Sequence, residues 1–221
     1  MKIIDVKQGS SAWVALRFGR VTASRFDQII QPKKLKPSAS ISKLVALLLA
    51  EKELGYSLED FDGNAWTERG QMLEADARND YAFQKNVEIE EIGFVVTDDE
   101  RAGASPDGKI KGVDAGIEIK CFEAAHHMRC LLGYDEPVKQ TQLQGQLWVC
   151  EWDYVDQWAW NPKLPPVDIR TYRNEPFIKA LAECVGIFAE EYDRQAENLK
   201  TMGLRGRVET LERVPLPETT A

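Results

Sequence analysis

Apolar residues from Ile41 to Leu54 recur at helical spacing through ISKLVALLLAEKEL and predict a buried helix, too short to span a membrane. A loop around Gly63 leads into a second helical pattern at residues 66–84, with Leu73, Ala77 and Tyr81 on one stripe and Glu74 beside it. Residues 87–97 read as a strand. Further on, a helix is predicted from about Pro137 to Val149, bearing Gln140, Gln142, Gln144 and Gln146. Strands follow at Tyr154 to Trp160 and Val167 to Tyr172, then a long amphipathic helix at about 175–200. Near the start, Thr22-Ala23-Ser24 precedes a short helical pattern through Phe26, Ile29 and Ile30, and either hydroxyl is placed to cap it. Lys33 to Pro37 reads as a basic loop. Helices interleaved with strands around one acidic hairpin predict an α/β fold with a mixed central sheet flanked by helices.

The hairpin is the segment GASPDGKIKGVDAGIEIKC from residue 103. Ile117-Glu118-Ile119-Lys120 alternates with period two, so a strand there puts both isoleucines on one face and Glu118 with Lys120 on the other. Two glycines in Lys111-Gly112-Val113-Asp114-Ala115-Gly116 suit the turn that carries Asp107 across to Glu118. Taken alone, such a trio reads as an exposed cross-strand ion pair worth under about 1 kcal/mol. Glu74 alone likewise reads as a surface partner of Arg78 at i+4. Taken together, Asp107, Glu118 and Glu74 supply hard oxygens for Mg2+, and Lys120 a cation that orients water or steadies charge on phosphorus.

At 221 residues and 43% hydrophobic content the chain has the size of one sizeable domain, expected at 1–202, with a polar arm at 203–221. The N-terminus begins Met-Lys-Ile-Ile-Asp without the long apolar run of a signal peptide, so a cytoplasmic protein is expected. Cys121, Cys130, Cys150 and Cys184 form no paired motif, which disfavours a zinc or iron–sulfur site. The net charge of −8 argues against nucleic acid until its distribution is read. Residues 1–50 hold nine Lys or Arg against two acids, so this +7 segment is balanced by −15 in the remainder. Trp13, Arg17, Arg20, Arg25, Lys33, Lys34 and Lys36 mix basic groups with an aromatic, a composition suited to phosphate as well as to a solvated surface.

Pro106-Asp107 followed by Glu118-Ile119-Lys120 resembles the PD-(D/E)XK nuclease superfamily, with its restriction-endonuclease-like core. Adding Trp13-x3-Arg17-x-Gly19-x2-Thr22-Ala23-Ser24, Gly70-x3-Glu74, Ser105-Pro106-Asp107-Gly108 and Gln142-x-Gln144-x3-Trp148, the chain resembles the phage lambda exonuclease family, the YqaJ-type viral recombinases, over roughly residues 8–160. The resemblance implies a Mg2+-dependent 5′-to-3′ exonuclease on linear double-stranded DNA, with Mn2+ able to substitute. It implies release of 5′ mononucleotides, 3′ single strands, a homotrimer, a single-strand annealing protein as partner, and a bacterial or phage origin. Asp107, Glu118, the Ile119 carbonyl and Glu74 match its metal-binding positions, and Lys120 its catalytic lysine. Arg17, Ser24, Ser105 and Gln142 match positions that surround the DNA 5′ phosphate or line the active site, and Thr22, beside Ser24 at the expected helix N-terminus, is a further candidate for binding that phosphate. The chain departs from the family in having Lys139 where a tyrosine is frequent, and in a longer segment between Trp66 and Glu74.

The rival readings are another PD-(D/E)XK DNA endonuclease, or a non-catalytic DNA-end-binding recombination scaffold in which the acidic hairpin is only structural. His126 and His127 are adjacent and would point about 100° apart on a helix, which suits packing or DNA proximity better than joint metal ligation. Trp148, Trp152, Trp158 and Trp160 read as core or interface.

Overall fold

The structure is a computed structural model that describes residues 1–58 and 65–202; the side chains of residues 65–72 are not described. The loop expected around Gly63, the side chain of Trp66 and the arm at 203–221 therefore lie outside the description.

Eleven strands and six α-helices make up the described chain: β1 (Lys2–Ile4), α1 (Ser11–Arg17), β2 (Val21–Thr22), β3 (Ile30–Gln31), β4 (Lys36–Pro37), α2 (Ile41–Leu54), α3 (Ala65–Lys85), β5 (Ile89–Glu90), β6 (Phe94–Val96), β7 (Ala102–Ala104), β8 (Gly108–Ile110), β9 (Ala115–Cys121), α4 (Ala124–Leu131), α5 (Gln140–Val149), β10 (Tyr154–Asn161), β11 (Leu164–Tyr172) and α6 (Glu175–Thr201). A 3-10 helix spans Ala23–Gln28. The α/β expectation holds, and the mixed pairing is divided between two sheets. One has strand order β11-β10-β9-β8-β5, the other β1-β6-β7-β2, with β3 and β4 forming a separate two-stranded ladder.

Parallel neighbours need a crossover. β9 and β10 run parallel, and α4 and α5 make the connection between them. The alternation read in β9 decides what lies on each side of its sheet. Ile117 and Ile119 are buried with Ala77 and Tyr81 of α3 and with Trp158 of β10. Val155, on the other face of β10, joins the main core with Leu143 and Leu147 of α5, Leu44 and Leu48 of α2, and Leu181 and Phe188 of α6. One helix thus covers the isoleucine face, and the opposite face, bearing Glu118, looks toward α5.

Three local expectations are corrected. The strand expected at 87–97 is broken into β5 and β6, which belong to different sheets. At the break, a Cβ on Gly93 would lie 2.1 Å from the Val6 carbonyl oxygen, so only glycine lets the backbones approach this closely. Gln8 pins the crossing by donating from Nε2 to the Ile92 and Pro106 carbonyls, both at 2.9 Å. The helix expected through Ile30 is a 3-10 turn ending at Gln28, and neither hydroxyl caps it: Thr22 stands at its N-cap position without a side-chain capping bond. The basic loop is the tip of the β3–β4 ladder, in register Ile30↔Pro37 and Gln31↔Lys36. By contrast α2 spans the residues its periodicity indicated.

The 3-10 helix and α5 meet at Gly145, where a built Cβ would fall 2.3 Å from Cδ2 of the fully buried Phe26. Gly145→Ala is expected to destabilise the protein by about 1–3 kcal/mol through overpacking. Chemical denaturation checks this; an unchanged midpoint would mean that α5 moves freely on Phe26.

Candidate active site

Asp107 lies where the chain leaves β7 of one sheet and enters β8 of the other, through Ser105-Pro106. The register Gly108↔Ile117 brings it beside the middle of β9, and its Oδ2 accepts the Ile119 backbone N–H at 2.6 Å. Its other oxygen accepts no hydrogen bond among the described residues.

Glu118 is only 2% exposed. A carboxylate taken this far from water costs several kcal/mol unless donors replace the lost hydration. Three do. Oε1 accepts from Lys120 Nζ at 2.5 Å and from Gln142 Nε2 at 2.6 Å, and Oε2 accepts from Gln146 Nε2 at 2.5 Å. Gln142 and Gln146 stand at i and i+4 on α5, one above the other on the face turned to β9.

Glu74 on α3 accepts from Arg78 Nη2 at 2.6 Å, as its spacing suggested. That arginine also binds the acidic site: its Nε donates to the Asp107 carbonyl at 3.0 Å, and Nη1 pairs with Glu91 at 2.8 Å. The local i,i+4 pair is therefore also the tether that brings Glu74 to the hairpin.

These charges act on one another. Burial, then repulsion by Glu118 and Glu74, pushes the Asp107 carboxyl well above the usual carboxylate range, against the pull of Lys120 and the Ile119 N–H. Burial disfavours charge on Lys120, but Glu118, Asp107 and Glu74 outweigh it and raise its pKa. Lys120 is consequently an ammonium, a donor rather than a base.

The remaining sequence-selected residues form a second group. Arg17 lies 4.4 Å from the Trp13 ring centre and donates from Nη2 to Thr22 Oγ1 at 3.5 Å. Thr22 Oγ1 in turn is 3.3 Å from Ser24 Oγ. Trp13 Nε1 donates to Ser105 Oγ at 2.9 Å, linking this group to the segment just before Asp107. Trp13, Arg17, Arg20 and Thr22 line a cleft with Arg25, Glu51 and Ser57. Gln142 is not part of it; its amide is on Glu118.

Sequence reasoning passed over Gln146, although its i+4 spacing from Gln142 was a usable signal. It also missed the buried bidentate pair of Arg25 with Glu51, at 3.1 Å for each bond, which fixes the 3-10 helix to α2. Nothing in the sequence links two residues on separate elements 26 positions apart. Lys139, the departure from the family pattern, pairs with Asp27 at 2.6 Å. His127 is buried, with Nε2 on the Pro165 carbonyl at 2.8 Å, and His126 packs on Phe122 with ring centres 4.0 Å apart. His127 is thus a packing residue, whereas the His126 side chain is 44% exposed. Trp152 and Trp158 are core.

Among the described residues no three Asp, Glu, His or Cys side chains gather closely enough to cage an ion unaided. The oxygen set nevertheless suits Mg2+, which is commonly held by one or two carboxylates together with water and substrate phosphate. Asp107 and Glu118 repel one another where a cation would relieve them, and among the described residues only Oδ2 of Asp107 accepts a hydrogen bond.

A family model described as the YqaJ-like viral recombinase domain matches residues 12–153. Among solved structures, the chain is similar to an alkaline exonuclease from Laribacter hongkongensis, at 27% identity and TM-score 0.76, over 88% of this chain and 98% of that one. The same enzyme solved in complex with dAMP matches at 28% identity and TM-score 0.76, with the same coverage. A phage-related exonuclease from Haemophilus somnus 129PT shares the fold at 16% identity and TM-score 0.65, over 81% of this chain and 96% of that one. No curated protein sequence matches.

The raised Asp107 pKa has a stability consequence with a definite sign. An acid that binds its proton more tightly when folded loses stability as pH climbs from its unfolded value, about 4, through its folded value. In EDTA, Asp107→Asn is therefore expected to melt higher than the parent at pH 8, with the difference shrinking toward pH 4. Thermal unfolding across that range checks it; a variant less stable at pH 8 would show that the Ile119 hydrogen bond outweighs the repulsion.

Proposed function

The chain belongs to the YqaJ-like viral recombinase domain family, and on that premise we propose that it is a Mg2+-dependent 5′-to-3′ exonuclease on linear double-stranded DNA that releases 5′ mononucleotides and leaves 3′ single strands for strand annealing. The observation that carries the reading is the buried Glu118 beside Asp107, with the Lys120 ammonium on the same carboxylate. An isolated surface ion pair would not be built this way. Similarity to an alkaline exonuclease over most of both chains supports the nuclease class, and that relative's complex with dAMP supports a mononucleotide product.

Asp107, Glu118 and the Ile119 carbonyl would hold the metal, with Glu74 approaching from α3. Mg2+, or Mn2+ in its place, supplies a charge that polarises the phosphate and acidifies water. Lys120 donates to the attacking water or to the phosphate oxygens as negative charge grows there. Arg17, Thr22, Ser24 and Ser105 present a guanidinium and three hydroxyls on the side of Asp107 reached through Trp13, which suits a terminal 5′ phosphate. The basic N-terminal segment then faces DNA while the acidic remainder faces away, which accommodates a polyanion on a chain of net charge −8. A homotrimer and an annealing-protein partner complete the proposal. No described helix is long and apolar enough to cross a membrane.

Linear duplex DNA with Mg2+ should yield acid-soluble nucleotide, EDTA should stop it, and covalently closed circles should be spared. Lys120→Ala should lower turnover about 100-fold or more, the scale expected for one donor to developing charge. A 5′-phosphorylated duplex should be digested faster than its 5′-hydroxyl counterpart, and Arg17→Ala should erase most of that preference. Duplex binding without cleavage under any metal condition would sink the exonuclease reading and leave an end-binding scaffold.

A further inference from the structure

The two oxygens of Glu118 are held differently. Oε1 carries two donors, Gln142 and Lys120, both from side chains that reach solvent; that of Lys120 is 34% exposed. Oε2 carries one, the amide of Gln146, which is 1% exposed. The Oε1 side is therefore the open side of the site and the Oε2 side its floor. On that open side Lys120 and Gln142 occupy Oε1, the atom they would have to yield to a cation entering from solvent. Gln146 lies behind the carboxylate and loses nothing when they leave.

Gln146 has no other visible reason to be polar. Among the described residues its buried Oε1 has no hydrogen-bond partner, a penalty of a kind that folded proteins seldom carry. Its neighbours Leu143 and Leu147 on α5 are fully buried core residues, so an apolar side chain would suit the position better if packing were its only task. The amide serves one contact, the 2.5 Å bond to Glu118.

From this we infer that α5 divides two tasks between amides one turn apart: Gln146 is a positioning residue that fixes the Glu118 carboxylate for a divalent cation, while Gln142 is an exchangeable ligand of the same carboxylate that the cation displaces. Displacement frees the Gln142 amide and the Lys120 ammonium, both donors, beside the incoming ion. The inference rests on the metal-dependent nuclease reading and adds to it the prediction that the two glutamines affect cation affinity with opposite sign.

The test is calorimetric titration of purified full-length protein with Mn2+, without DNA, comparing the parent with Gln146→Met and Gln142→Met, whose side chains keep the volume and lose the amide. Gln146→Met should bind Mn2+ about tenfold more weakly or worse, the range seen when a group orienting a metal ligand is removed. Gln142→Met should bind as tightly as the parent or several-fold tighter, since a competitor is gone, while its cleavage rate still falls. Should Gln146→Met not fold, as judged by circular dichroism, Gln146→Asn retains a polar group too short for Glu118 and should weaken binding in the same direction. Equal shifts in the two variants, or parent-like affinity with residue 146 altered, would overturn the inference while leaving the nuclease standing. A parent protein that binds no Mn2+ and cleaves no DNA would overturn the nuclease reading and this inference with it.

Discussion

A carboxylate buried in the middle of a strand is the constraint around which the site is arranged. Glu118 has no adequate solvation of its own, and an unsatisfied charge at that depth would cost more than a typical domain can spare. Its three donors come from two elements, β9 itself and α5. α5 must therefore lie against this face of the sheet, and the contact at Gly145 with Phe26 sets how closely it also meets the 3-10 helix. The same helix thus satisfies the charge and closes the core, so the geometry of the chemistry is coupled to the packing.

The acidic side of the site is assembled at a junction. Asp107 stands between the two sheets, and Arg78 joins its carbonyl to Glu74 and Glu91. An arginine suits this task because its planar fork serves three acceptors at once, which a lysine at the same place could not do with fixed geometry. The result is a set of like charges held together by one cation on the helix and one on the strand. The repulsion left over appears in the raised affinity of Asp107 for a proton.

The N-terminal segment is organised by a different interaction. Trp13 stacks under Arg17 and holds Ser105 through its indole N–H, so one aromatic residue relates the basic cleft to the hairpin. Arg25 and Glu51 lock the intervening 3-10 helix to α2. These contacts explain how nine cationic residues in the first fifty can coexist with a strongly acidic remainder: several are spent on structure, and those in the cleft with Arg17 are held close to the acidic hairpin.

The sequence by itself determined the elements whose information is local. The periodicity of Ile41 to Leu54 specified α2, and the alternation Ile117-Glu118-Ile119-Lys120 specified a strand with one apolar and one charged face, because side-chain direction follows from backbone period alone. The motif residues were legible for the same reason, being carried in short fixed spacings. Tertiary structure decided what those spacings cannot contain. It split the expected strand at 87–97 between two sheets, because Gly93 passes against the backbone of Val6. It also buried Glu118 on the face of β9 that alternation alone suggested was exposed, placed Gln146 behind it, and paired Arg25 with Glu51. Each of these depends on contacts between residues far apart in the chain, whose energies come from desolvation and close packing. Neither quantity exists until the fold brings the partners together.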